Sequence, residues 1–241
     1  MAPGRGTGAF SLAWIGISEE ITMTANAALF ASPFVVFMGD IGDTVYGKTG
    51  LGLVQWRSGD CIGQVRLPGC TVDAGVTDLS VAAARTAGAR SIIVGSAAVG
   101  GRLPDHWVAS LCEAASLGMD VVAGLHIPLA SLPGLAAAAE AGGARLVDVR
   151  VPPTGLPVGN GKRRTGRRVL MVGTDCATGK KYSALALARD LKAAGLNADF
   201  RATGQTGIMI AGAGMPIDAV VADFLTGAAE VLSPANTPDH W

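Results

Sequence analysis

Aromatic side chains are scarce here, with six Phe, four Trp and two Tyr making up 5% of 241 residues. Charge is thin as well, at 16%, while glycine contributes 34 residues. A chain filled by small residues suits an α/β protein with close helix-on-sheet packing. Neither sign of charge prevails: Lys plus Arg and Asp plus Glu both number 19. No global field therefore recruits nucleic acid or an anionic membrane, and a small-molecule substrate is the default partner. The four cysteines, Cys61, Cys70, Cys112 and Cys176, form no CxxC pair and share no metal-ligand spacing with the three histidines. That argues against a disulfide framework and a structural zinc, and no metal site is read. A long clean apolar run is also missing. The mean hydropathy of +0.40 draws attention to Ile21 to Gly39, which is uncharged, but this stretch contains Asn26, Ser32 and Pro33 and follows Glu19 and Glu20. It reads as a start plus a buried strand, and a cytoplasmic location follows.

What is present is a strong pattern from Val169 to Leu191, VLMVGTDCATGKKYSALALARDL. Four apolar residues, Val169 to Val172, predict a buried strand, a glycine-bearing turn follows, and apolar residues then return at helical spacing. Gly173 and Gly179 let the backbone curl around an anion, a helix starting near Gly179 adds the positive end of its dipole, and Lys180 supplies a point charge. The spacing is not the standard one. Five residues separate Gly173 from the Gly179-Lys180 pair where four are usual, and Lys181 stands where a Mg²⁺-binding Ser or Thr belongs. The loop resembles that of dethiobiotin synthetase, which shares the Gly-Thr-Asp opening and the longer spacing. A phosphate cradle of Gly173, Thr174, Cys176, Ala177, Thr178, Gly179, Lys180, Lys181 and Tyr182 is expected. The structural alternative is a plain glycine-rich turn.

Upstream of this motif, residues 1–22 carry no consistent period and are expected to be a disordered extension, with Met23 a possible start. Residues 23–150 read as a Rossmann-like unit. Its predicted strands are Phe34 to Met38, Ser91 to Gly95, Asp120 to Ala123 and Arg145 to Val149. Its predicted helices are Leu79 to Ala87, Pro104 to Leu117 and one capped by Ser131, and this alternation implies a parallel sheet with right-handed crossovers. The Gly39-Asp40 loop through Lys48, the turn holding Arg66, Cys70 and Asp73, and His126 at a strand end are candidate ligand groups; each has a bland structural reading beside it. Val151 to Arg168, rich in Pro, Gly and basic residues, reads as an exposed linker whose arginines either face solvent or grip a phosphate. Residues 169–241 read as an incomplete P-loop domain. In it, Asp199 to Ala202 is a predicted strand delivering Thr203, Gln205 and Thr206 to the ligand, Ile208 to Gly214 is a flexible run, and Asp218 to Ala229 is a helix.

GTDCATGKKYSALAL, DFRATGQTGI, IDAVVADF and LSPANTPDHW, with FMGDIGDTVYGKTGLG, GQVRLPGCTVDAG, GLHIPL and VDVRVPP, resemble the DUF1611 family in order and over nearly everything after Met23. The resemblance implies acetyl transfer from acetyl-CoA to the amine of D-glutamate, in D-amino-acid catabolism, with the loop binding the phosphates of CoA and Lys181 replacing a metal. It also implies a longer protein, so the chain is expected to be C-terminally truncated. Asp175 is then the candidate catalytic carboxylate, as base or as holder of the ammonium, and Cys176 is a candidate acyl carrier or a small apolar residue. ATP with Mg²⁺ in a dethiobiotin-synthetase-like reaction, and a non-catalytic nucleotide or CoA sensor, are the rival readings. Association into a homo-oligomer is open, since an incomplete sheet exposes an edge.

Overall fold

The computed structural model of the chain describes residues 29–97, 102–175 and 178–241. Its frame is a five-stranded, all-parallel sheet in the order β2-β1-β3-β4-β5. The strands are β1 Phe34–Gly39, β2 Cys61–Arg66, β3 Ser91–Val94, β4 Asp120–Ala123 and β5 Leu146–Asp148. Sequences such as FVVFMG and SIIV are buried at every position, as befits strands covered on both faces. The intervening helices are α1 Lys48–Trp56, α2 Val81–Thr86, α3 Asp105–Ser116 and α4 Leu135–Gly142. Because β1 crosses one way to β2 while later connections run the other way, right-handed crossovers place α1 on one face and α2, α3 and α4 on the other. The order reverses between β1 and β3, and the crevice at their C-terminal ends is where such sheets place ligands.

Sequence expectations hold for β1, β3, β4, β5, α2 and α3. They omit α1 and β2. The segment KTGLGLVQW carries two glycines, which weaken a helix on propensity, and both are there for packing. The Gly50 N–H donates to the Gly95 carbonyl at 2.7 Å, and a Cβ on Gly95 would lie 2.7 Å from the Gly50 Cα. Ser131 does not cap α4. It ends a 3₁₀ turn, Leu129–Ser131, and α4 starts after Gly134.

The second half contains α5 Lys180–Ala193, α6 Gln205–Ala211 and α7 Leu225–Leu232. Here several expectations are corrected. Val169 to Val172 forms no strand and is not buried: Val169, Leu170 and Val172 are 54%, 78% and 79% exposed. A strand needs a neighbour for its backbone groups, and no described segment pairs with these residues. The ladder-like bonds lie just beside them, from Arg167 N–H to the His240 carbonyl and from Asp199 N–H to the Trp241 carbonyl. Asp199 to Ala202 likewise makes only an isolated bridge, Ala202 to Gly214. The run expected to be flexible from Ile208 is helical through Ala211, and Asp218 to Ala229 is split into two 3₁₀ turns followed by α7.

The α6 helix explains how the two halves combine. It packs on α1, and Ala202, Ile208 and Met209 join the same hydrophobic core as β1 and β3. The side of the sheet that α1 covers alone is thus completed by a helix from the far half of the chain. Arg57 ties this arrangement together: it pairs with Asp60 at 2.6 Å, donates to the Met209 carbonyl at 3.2 Å, and lies 4.9 Å from the Phe30 ring centroid. Residues 151–168 are without helix or strand but are not simply solvated. Asn160 and Gly161 N–H groups donate to Glu230, holding that carboxyl below its ordinary range, and Arg164 and Arg168 donate to the Ser233 carbonyl. Cations at the C-terminal end of α7 meet carbonyls left unpaired by the helix.

Candidate functional site

Gly173, Thr174 and Asp175 lie in an exposed bend, and α5 starts at Lys180 after Gly179, whose φ of 94° suits only a residue without Cβ. Cys176 and Ala177 lie outside the described residues. The loop curls tightly. Thr178 Oγ1 donates to the Asp175 carbonyl at 3.2 Å, and the Lys180 ammonium donates to that same carbonyl and, at 3.3 Å, to Thr178 Oγ1. The lysine charge is therefore held at the loop, beside the first turn of a 14-residue helix whose leading N–H groups have no intrahelical acceptor.

Lys181 and Tyr182 turn toward the first half. The Tyr182 hydroxyl donates to the Lys48 carbonyl at 3.2 Å, and its ring stacks on Trp56, with centroids 6.5 Å apart and planes 10° from parallel. Lys181 Nζ sits 4.3 Å from the Tyr182 ring centroid. Burial, reinforced by the charge on Lys48, lowers the Lys181 ammonium to about 8. Thr206 is buried and shares a 2.8 Å hydrogen bond with Thr49, while Gln205 occupies the space above Gly124, at the end of β4. Thr203 is exposed beside them. The structure thus brings Lys181, Tyr182 and Thr206 to the start of α1, with Gln205 over the end of β4, while the contacts of Lys180 described above stay within its own loop.

The other candidates fall elsewhere. Asp40, just beyond β1, accepts from Trp107 Nε1 at 2.7 Å and pairs with His106 Nε2 at 2.9 Å, and these contacts hold its carboxyl below the usual range. Arg66 is engaged by Asp78, with Asp73 at 3.8 Å. Cys70 Sγ donates to the Val72 carbonyl at 3.4 Å, and His126 lies exposed after β4.

Sequence reasoning took Lys48 only as the end of a candidate ligand loop and passed over Thr49, although a sharper signal existed. Gly42 to Thr49 reads Gly-x₄-Gly-Lys-Thr between a buried strand and a helix, the spacing and context of a phosphate loop. Its backbone is closed on itself: Val45 N–H donates to Asp43 Oδ1, Tyr46 N–H to the Asp43 carbonyl and Gly47 N–H to the Thr44 carbonyl. What this segment offers a ligand is Lys48, not a ring of free amides.

A parallel α/β sheet joined through a shared core to a glycine-rich, lysine-bearing loop at a helix start defines a Rossmann-like domain followed by a P-loop domain. Comparison agrees. Residues 65–152 match the DUF1611_N Rossmann-like domain of unknown function, and residues 157–241 match the DUF1611_C P-loop domain of unknown function. The chain belongs to the DUF1611 family. It is 44% identical over 213 residues to a D-glutamate N-acetyltransferase of Tritonibacter scottomollicae, covering 88% of this chain and 64% of that protein. A D-glutamate N-acetyltransferase of a Pseudoalteromonas species is 41% identical, with 87% and 63% covered. A crystal structure of a DUF1611 family protein from Anabaena variabilis superposes with a TM-score of 0.73 at 33% identity, covering 87% of this chain and 64% of that one. The chain thus spans somewhat less than two thirds of the length of each.

Proposed function

We propose that this chain belongs to an N-acetyltransferase that moves an acetyl group from acetyl-CoA to the amine of D-glutamate, a small-molecule acceptor, in the cytoplasm. The observation that carries this reading is the loop from Gly173 to Lys181, where two successive lysines open a helix with no acidic residue in its first turn. Such a loop suits the phosphates of CoA, which need cations and N–H donors but no hydrolysis. The names of the two bacterial relatives supply the acyl transfer and its acceptor.

In this mechanism the acceptor nitrogen attacks the thioester carbonyl, a base takes the ammonium proton, and the tetrahedral oxyanion collapses as the CoA thiolate leaves. Asp175 is the proposed carboxylate for the acceptor ammonium, and loop N–H groups are the proposed oxyanion donors. Thr203 and Gln205 are proposed to meet the polar end of the acceptor, with Thr206 setting their position through Thr49. The test supplies the chain with acetyl-CoA plus D-glutamate and, separately, ATP plus Mg²⁺, while free thiol and phosphate are measured. Thiol release that depends on D-glutamate is the expected result. Phosphate release with no thiol would replace this reading with phosphoryl transfer.

A further inference from the structure

Two lysines approach each other at the junction of the two halves, and neither takes part in the ion pairs found among the described residues. Lys181 comes from the second half. Lys48 comes from the first. Tyr182 fixes their proximity, since its hydroxyl meets the Lys48 carbonyl at 3.2 Å while Lys181 Nζ lies over its ring. The approach is close enough for Lys48 to disfavour the charge on Lys181. Lys48 also opens α1, a helix without an acidic residue in its first turn, where the dipole opposes a cation. The compensation that the fold gives Lys181 is the uncharged face of the Tyr182 ring. Several arginines elsewhere are neutralised, as Arg57 is by Asp60, Arg66 by Asp78 and Arg145 by Asp120. Like charges drawn from two halves, Lys48 and Lys181, with no ion pair found for either among the described residues, match an anionic ligand that bridges them.

We propose that Lys48 is a binding residue of the phosphate site: it and Lys181 grip one phosphate group of the ligand whose other phosphates rest on the Gly173–Lys180 loop, so the ligand spans the junction. This rests on the reading of that loop as a phosphate cradle. The Gly-x₄-Gly-Lys-Thr spacing that ends at Thr49 delivers the lysine from the β1 end, at the crevice where the strand order reverses. The ligand class is a nucleotide-type polyphosphate, and coenzyme A is the probe.

Calorimetric titration of the whole chain with coenzyme A, at fixed salt and pH 7, compares wild type with Lys48→Ala, Lys48→Arg, Lys181→Ala, Lys180→Ala and the Lys48→Ala/Lys181→Ala double variant. Lys48 is exposed, and a cooperative thermal transition in each variant confirms folding. The expected result is a loss of about tenfold for Lys48→Ala, restored in large part by Lys48→Arg, and a double variant weaker by less than the product of the single losses. Repetition with dephospho-coenzyme A identifies the phosphate. A Lys48→Ala loss that persists assigns it to the diphosphate, and one that disappears assigns it to the 3′-phosphate; either supports the proposal. Unchanged affinity in Lys48→Ala, with Lys180→Ala impaired, overturns the role of Lys48 and leaves the loop standing. Unchanged affinity in both, or no binding by wild type, overturns the cradle itself and the role of Lys48 with it.

Discussion

The Tyr182 hydroxyl donates a 3.2 Å hydrogen bond to the carbonyl of Lys48, so the helix that closes the phosphate loop is positioned against the first turn of a helix from the other half. A Cβ on Gly52 would stand 2.4 Å from that hydroxyl. Removing the bond and displacing the ring are therefore separable. Tyr182→Phe keeps the stack on Trp56 and is expected to cost about 1 kcal/mol in denaturant unfolding. Gly52→Ala is expected to weaken coenzyme A binding more than Tyr182→Phe does, because it moves the whole side chain and Lys181 with it. Equal affinities in the two variants would separate the junction from the loop.

Lys181 gives a pH signature with two opposite signs. Its ammonium is lowered from 10.5 to about 8 by burial and by Lys48, so between those values the unfolded chain holds a proton that the folded chain has released. Stability without ligand is expected to rise across that window. Affinity for coenzyme A is expected to fall as pH climbs through about 8, since the neutral amine no longer attracts phosphate. Lys181→Met should flatten both trends, and unfolding curves and titrations at several pH values check them. A stability curve for wild type that matches Lys181→Met across this window would contradict the assignment.

The Thr49–Thr206 bond crosses the halves at 2.8 Å, with Thr206 buried. Thr206→Val strands the Thr49 hydroxyl and is expected to destabilise by about 1–2 kcal/mol, whereas the double Val variant should cost less than the sum of the two single changes. Strict additivity in urea unfolding would mean that the two hydroxyls act independently.

Gly95→Ala tests the approach of α1 to β3. The added methyl would meet the Gly50 Cα at 2.7 Å and the Gly50 nitrogen at 3.1 Å, and backbone cannot rotate away as a side chain does. A loss of about 2–3 kcal/mol is expected, with weaker coenzyme A binding because Lys48 shifts along with α1. A variant as stable as wild type would show that α1 relaxes freely.

Much of the first half was legible because β1, β3 and β4 are short apolar runs buried on both faces, a pattern that alternation with helices makes hard to misread. The helix α1 was hidden by the two glycines that let it approach β3 and receive Tyr182, so the residues that serve packing erased the propensity signal. In the second half, Val169 to Val172 has a strand's composition without a strand's neighbours, and pairing is a property no single segment carries. The loop's lysines were readable from spacing. Lys48 was readable in principle, but its relation to Lys181 depends on Tyr182 of α5 reaching the first turn of α1, a contact between residues 134 positions apart that no local pattern carries.

The most direct test is a crystal structure of the chain with coenzyme A bound. A phosphate of the ligand within hydrogen-bond distance of the Lys180 ammonium and the N–H groups that open α5, with a neighbouring phosphate between Lys48 and Lys181, is the expected result. Coenzyme A bound with its phosphates elsewhere, for instance beside Asp40 and His106 with the Gly173–Lys180 loop untouched, would contradict it.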